Sequence, residues 1–149
     1  MYTPHTVTVY NVIAETDLET FEEVERVYVT ILRGVFFDAS KAVNVSRSGL
    51  ESADAVNLYI PFAVEAVDGV TKQEKSYALP QEFWKAADRS KIWTLGVEGN
   101  GGETFFVKGE FVTDSADVAR AHDESYNVTK VDVKDFGSTH LQHWEVGGA

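Results

Sequence analysis

The stretch RVYVTILRGVFF, residues 26–37, decides the fold class of this chain. It is rich in β-branched and aromatic residues and alternates with a period of two, which places Val27, Val29 and Ile31 on one face of a strand. Gly34 interrupts the run before the apolar residues resume. A glycine inside a strand predicts a bulge or a sharp bend at that position.

The same pattern recurs on both sides of this stretch. It predicts further strands at Thr6–Tyr10, Lys41–Ser46, Ala55–Phe62, Lys91–Leu95, Glu103–Val112, Asn127–Val133 and Leu141–Val146. Turn residues separate several of them, at Ser48-Gly49, Asp68-Gly69 and Asp135-Phe136-Gly137. Pro61 cannot donate a ladder hydrogen bond, so its strand is expected to end there or to lie on an edge.

Two short helices interrupt the strands. Pro80 suits a first helical position before Gln81–Ala86, and Asp114 or Ser115 can cap Ala116–His122. The acidic segment Glu15–Glu25 is predicted to be an exposed loop or a short helical turn. About eight or nine short strands predict a single, mainly β domain over residues 1–149, an antiparallel β-barrel or sandwich with one or two short helices.

Composition excludes several classes of function. The chain has no cysteine, which removes disulfides, thiolate nucleophiles and cysteine-based zinc sites. Its 24 acidic residues outnumber 13 basic ones, and a net charge of −11 disfavours binding to nucleic acid. Such a surface serves solubility, or forms a wall that DNA passes without sticking. Neither a secretion signal nor a membrane-spanning run of about 18 apolar residues is recognisable, so we expect a cytoplasmic protein that does not enter a membrane.

Two motifs resemble ligand sites and are interpreted otherwise. His140 and His143 have a spacing that suits metal ligands on a helical turn. The second of them begins a predicted strand, where residues three apart point to opposite faces, so both are interpreted as surface or packing residues. The glycine-rich loop Gly96–Gly102 resembles a phosphate cradle, but an acidic strand rather than a helix follows it. A hairpin connection is the prediction.

No constellation of catalytic residues is recognisable in the sequence. Adjacent carboxylates are interpreted as solvated faces, and the serines lack a nucleophile elbow; these residues are Glu22/Glu23, Asp114/Asp117, Asp123/Glu124, Ser46, Ser48, Ser52 and Ser90. We therefore predict that the protein is not an enzyme and has no catalytic, cofactor-binding or metal-binding residue.

Neighbouring aromatic residues indicate an assembly role. In the pairs Phe36/Phe37, Phe83/Trp84 and Phe105/Phe106, one member is expected to fill the core. The other members would anchor an interface if they are exposed, because aromatic residues are enriched at interface centres. This pattern predicts an oligomeric or docked protein.

Several segments, in a consistent order along nearly the whole chain, resemble a family of small structural proteins of tailed phages and prophages of Gram-positive bacteria. They are Val7–Asn11, Tyr28–Val35, Gly49–Asp54 running into Leu58–Pro61, Ile92–Leu95, Phe106–Glu110 and His143–Gly148. Their order is also similar to that of the head-closure, or stopper, proteins of siphophage necks.

This resemblance implies a β-barrel that docks in a homo-oligomeric ring between portal, adaptor and tail proteins, with loops at the DNA channel. It implies a virion protein made in the host cytoplasm. A tail terminator or tail-completion protein is an alternative. A second, from a different class, is a cytoplasmic domain that binds a small ligand or carbohydrate, with Trp84 and Trp93 as stacking platforms.

Overall fold

A computed structural model of the protein describes residues 2–39, 56–97 and 103–149. Its elements are β1 (His5–Thr16), β2 (Glu23–Asp38), β3 (Val56–Pro61), β4 (Glu65–Asp68), β5 (Ser76–Tyr77), α1 (Pro80–Lys85), β6 (Ile92–Trp93), β7 (Glu103–Lys108), α2 (Ala116–Arg120), β8 (Ser125–Lys134), a 3-10 turn (Thr139–Leu141) and β9 (His143–Gly148). The predicted strand Lys41–Ser46, the Ser48-Gly49 turn and positions 98–102 lie outside the described residues.

The strands form a closed antiparallel sheet. Seven of them follow the order β1-β7-β8-β9-β3-β2-β4, and β1 also pairs with β2. This extra pairing closes a ring of six strands, with β4 attached to the outer edge of β2. The predicted mainly β, antiparallel fold is thereby confirmed. A closed ring protects strand edges that would otherwise template aggregation.

Gly34 allows β2 to serve two parts of this sheet. It is the extra residue between the pairs His5↔Val35 and Thr6↔Arg33, and its φ of 91° lies in the left-handed region. Such bulges bend a strand and increase its twist. Beyond the bend, Phe36–Asp38 pair with β3. The bulge predicted from sequence is therefore present, and it marks a corner of the barrel.

A second corner lies in β8. Its first residues, Ser125–Asn127, pair with β7, and Val128–Lys134 pair with β9, with a register shift between Val128 and Lys130. Strands that switch between sheet halves at bulges are typical of orthogonally packed β-barrels. The main core lies inside the ring; its largest fully buried members include Leu32, Leu58, Ile60, Phe106 and Trp93.

A smaller core covers the outer face of β1 and β7. Tyr10 stacks on Phe105 with ring centroids 4.9 Å apart, and Ala116 and Ala119 of α2 pack over them. Burial raises the pKa of the Tyr10 hydroxyl to about 12. Because both faces of β7 are covered, Phe105 and Phe106 are both buried. Exposure was the condition for a member of this pair to anchor an interface, and neither residue meets it.

The segment from β5 to β6 adds a layer to the main core. These two strands pair in parallel around α1, and Trp93 contacts Trp144 edge-on at 5.7 Å. Buried Asn11 holds the segment in place, because its amide donates to the Thr94 carbonyl at 2.9 Å and its carbonyl accepts from the Thr94 N–H at 3.3 Å. The side-chain amide of Asn11 thus takes the place of a backbone hydrogen-bond partner for Thr94.

Most of the residues that the sequence predicts to begin, cap or end an element do so in the structure. Pro80 begins α1, Ser115 caps α2 by accepting from the Val118 N–H at 3.3 Å, and Pro61 ends β3. The acidic segment Glu15–Glu25 is neither a loop throughout nor a helical turn. It completes β1 and begins β2, so that the two strands form one long hairpin.

Replacement of Gly34 by alanine is expected to lower the free energy of unfolding by about 1–2 kcal/mol. The added Cβ has free space, with Thr3 Oγ1 at 3.9 Å as its nearest neighbour, so the cost is conformational. Gly34→Asn is the matched control, because asparagine tolerates a left-handed conformation. Urea denaturation should show a smaller loss for asparagine than for alanine; equal losses would contradict this role of the bulge.

Candidate interaction surfaces

The hairpin of β1 and β2 extends past the rest of the sheet. We call residues Thr16–Glu23 the hairpin tip. Pairing of β1 with β7 ends at Val12, and the four β1 residues Ile13–Thr16 pair with β2 alone among the described residues. Four such pairs span roughly 13 Å before the turn. Leu18 and Phe21 in this turn are 85% and 81% exposed.

The turn is closed by local hydrogen bonds. The Asp17 carbonyl accepts from the Phe21 N–H at 2.7 Å, and its side chain accepts from the Glu19 N–H at 2.8 Å. Phe21 has a φ of 58°, in the left-handed region that favours glycine or asparagine. Local backbone preference therefore does not explain an aromatic residue here. The hairpin tip presents an apolar side chain at a conformational cost of about 1 kcal/mol or more.

Acidic side chains surround the exposed apolar residues. Six carboxylates occur in the segment from residue 15 to residue 25, namely Glu15, Asp17, Glu19, Glu22, Glu23 and Glu25. Glu15 accepts from Arg26 at 2.6 Å, and this hydrogen bond holds its pKa below the ordinary value. The hairpin tip is consequently an apolar pair in a negative field.

Arg89 fixes the base of the hairpin. Its guanidinium donates to the carbonyls of Phe83 and Trp84 in α1 at 2.8 and 2.7 Å, and to Glu15 at 3.1 Å. The same group lies 5.8 Å from the centre of the Tyr28 ring. Sequence reasoning missed this residue, because its partners lie far from it along the chain. Of the partners of Arg89, the aromatic pair Phe83/Trp84 was noted in the sequence.

A second exposed apolar feature lies between β8 and β9. We call it the β8–β9 depression, a shallow cavity of about 480 Å³ lined by Lys134, Phe136, Gly137, Leu141, His143 and Glu145. Gly137, with a φ of 83°, and the 3-10 turn shape the connection. Phe136 is 73% exposed and Leu141 49%.

Two other grooves have a different chemistry. One of about 360 Å³ has a valine floor with Asp68 and Asp114 at its sides. The other, of about 230 Å³, is lined by Glu103, Thr104, Arg120, Asn127 and Val128. In the second, Glu103 accepts from Arg120, so its cation is already neutralised.

A buried ion pair supports the valine-floored groove. Lys75 is almost fully buried, and its ammonium group donates to Asp68, Thr30 Oγ1 and the Val29 carbonyl at 3.1, 3.1 and 3.2 Å. Burial lowers the pKa of Lys75, which the Asp68 charge partly offsets. All three ammonium protons have acceptors, so the group is structural rather than a free nucleophile.

The histidines named from sequence do not form a metal site with their neighbours. His140 is exposed in the 3-10 turn, whereas His143 contacts the Leu141 carbonyl at 2.8 Å and Glu145 at 3.2 Å. Over the described ranges, no cluster of three or more metal-ligating side chains is present.

Among the adjacent carboxylates named from the sequence, Glu124 is half-buried and the others are exposed, namely Glu22, Glu23, Asp114, Asp117 and Asp123. Ser90 is exposed; the other three candidate serines lie outside the described residues.

The tryptophans do not form stacking platforms. Trp93 is 1% exposed and belongs to the main core, and Trp84 is half-buried against Phe83. In the pairs Phe36/Phe37 and Phe83/Trp84 one member is buried and the other half-buried, as expected. The most exposed aromatic residues, Tyr2, Phe21 and Phe136, were not singled out from the sequence as interface residues.

Comparison with family models covers nearly the whole chain. The model of DUF6751, a family of unknown function, matches residues 2–149. No curated protein and no solved structure matches significantly. Among the described residues, no helix is long and apolar enough to cross a membrane.

The Asp68–Lys75 pair makes stability depend on pH in acid. Burial raises the pKa of Asp68, but the N–H groups of Thr71 and Val70 and the Lys75 charge outweigh it, so the pKa lies below its ordinary value of 3.8. The unfolded chain therefore binds more protons between the two values, and this stabilisation is lost as pH falls through the folded pKa.

Urea denaturation of the wild type and of Asp68→Asn over pH 2–7 checks this expectation. The wild type should be more stable near neutral pH, and the difference should shrink as the pH falls below the ordinary aspartate value. Asp114→Asn, at an exposed carboxylate, is the control and should leave the curve almost unchanged. A difference for Asp68→Asn that is constant over this range would contradict the assigned role.

Proposed function

We propose that this chain, which belongs to the family of unknown function DUF6751, is a structural protein of the neck of a tailed-phage virion. It joins head and tail through protein–protein contacts around the DNA channel and uses no cofactor. It is made in the host cytoplasm and enters the virion in a homo-oligomeric ring. Its partners are virion proteins on the portal, adaptor or tail side.

One observation carries this proposal. Among the exposed apolar features of the described residues are the hairpin tip with Leu18 and Phe21 and the β8–β9 depression with Phe136 and Leu141. Exposed apolar side chains that lie together are candidates for interaction sites in soluble proteins. A subunit that has a neighbour on each side needs two such surfaces, as a ring component does. Together with the resemblance to neck proteins, this supports an assembly role.

The charge distribution supports the same role. The net charge is −11, and six carboxylates surround the hairpin tip. A negative surface repels the DNA backbone, which suits a channel wall that DNA must pass without being held. The acidic residues therefore have a use in the neck beyond solubility.

Two other functions remain candidates. A tail terminator or tail-completion protein would use the same two surfaces in a ring at the head-proximal end of the tail. A small-ligand or carbohydrate-binding domain draws support from the β8–β9 depression, whose volume of about 480 Å³ falls within the usual range for ligand sites. The burial of Trp93 counts against the stacking platform on which that alternative relied.

Deletion of the gene from the phage or prophage that encodes it tests the proposal. Electron microscopy is expected to show heads, filled with DNA or emptied, beside complete but unattached tails. Expression of the intact gene from a plasmid is the control and should restore joined particles. Normal infectious particles would overturn the virion role, and intact heads with overlong or missing tails would replace the neck by tail termination.

A further inference from the structure

We infer that the hairpin tip of one copy of this chain docks in the β8–β9 depression of the next copy. The place of this contact in a ring rests on the proposed function. The contact adds to that function by naming the two surfaces that meet. It is head-to-tail, because the surface that inserts and the surface that receives it are different parts of one molecule.

The hairpin tip has the features of an inserted element. Phe21 is 81% exposed and occupies a left-handed backbone position that favours glycine or asparagine. Residues with this kind of backbone strain are concentrated at functional sites. Leu18, which is 85% exposed, provides a second apolar group in the same turn. The tip therefore offers two anchors at the end of a projecting hairpin.

The β8–β9 depression fits these anchors in size and polarity. Its volume of about 480 Å³ is the largest of the three cavities described above, and Phe136, Gly137 and Leu141 make most of its lining apolar. Aromatic and leucine side chains gain about 1.5–3 kcal/mol when they are fully buried. The tip and the depression thus remove each other's exposed apolar surface from water.

The charges of the lining residues favour the β8–β9 depression over the other two grooves as the docking site. Lys134 lines it and has no salt bridge within the described part of the chain, and the lining carboxylate, Glu145, lies 3.2 Å from His143 Nε2. The valine-floored groove has the exposed carboxylate of Asp114 in its lining and no lining cation, and its other carboxylate, Asp68, is paired with buried Lys75. The third groove holds Arg120, which Glu103 and Asp117 neutralise. Only the β8–β9 depression combines an apolar lining with a free cation within the described ranges.

The geometry predicts the kind of assembly. A contact between two different surfaces leaves one tip and one depression free at the ends of every open oligomer. Such contacts close into a ring or continue as an open chain, whereas an isologous contact stops at a dimer. Two inserted side chains form a small interface, so we expect weak association of the isolated protein and a need for cross-linking to trap it.

Disulfide trapping tests the contact directly, because the chain has no cysteine of its own. Purified Phe21→Cys and Leu141→Cys proteins are mixed under mild oxidation. They are expected to form a mixed disulfide at least ten times faster than Phe21→Cys with Val70→Cys. Val70 is the matched control, since it is 78% exposed in the valine-floored groove. Equal rates for the two mixtures would overturn the inference.

A chain with both substitutions, F21C and L141C, tests the head-to-tail geometry. Oxidation should yield a ladder of dimers, trimers and larger species on a non-reducing gel. A mixture of wild type and each single variant at the same concentration is the control and should give no ladder. Cross-linking that stops at dimers would contradict a contact between different surfaces.

The substitution Phe21→Gly distinguishes a role of Phe21 in docking from a role in folding. Glycine relieves the left-handed strain, so the thermal unfolding midpoint should rise. Added to the trapping pair Leu18→Cys and Leu141→Cys, the same substitution should slow cross-linking at least fivefold because it removes an anchor. A lower midpoint together with slower cross-linking would indicate a structural role for Phe21, and an unchanged rate would exclude it as an anchor.

Failure of this contact is distinguishable from failure of the proposed function. If trapping is not selective but gene deletion still yields unattached heads and tails, the contact is wrong and the neck function stands. If trapping is selective but deletion yields normal particles, the self-association stands and the neck function fails.

Discussion

The left-handed bend at Gly34 is the constraint on which the barrel depends. Before it, β2 pairs with β1, and after it Phe36–Asp38 pair with β3, so the ring closes at this residue. A residue with a Cβ at a φ of 91° would add strain at the corner that links the two halves of the sheet. A second irregularity, the register shift between Val128 and Lys130, lies in β8.

Closure of the ring also determines where interaction surfaces can form. Each of the six strands in the ring pairs with a neighbour on both sides, so few of their backbone N–H and C=O groups remain for another protein to bind. Contacts with a partner must therefore come from projections and depressions. The long hairpin of β1 and β2 is one such projection. Arg89 holds its base by joining α1, Glu15 and the Tyr28 ring. A well-fixed base lets the hairpin tip present Leu18 and Phe21 in a defined position.

Polar residues in this protein serve the fold more than chemistry. Asn11 replaces a backbone partner for Thr94, and Lys75 donates to three acceptors, one of which is Asp68. In each case a buried polar group is paired, as stability requires. The candidate interaction surfaces are built differently, from exposed apolar side chains in a largely acidic exterior.

The sequence by itself determined the β class, the bend at Gly34, the start of α1 at Pro80 and the cap of α2 at Ser115, because these features depend on neighbouring residues. Only the tertiary structure decided that Glu15–Glu25 forms a hairpin tip, that Phe105 and Phe106 are both buried, and that Arg89 anchors the hairpin. These outcomes depend on strand pairing and packing between residues far apart in the chain, for which local periodicity carries no information.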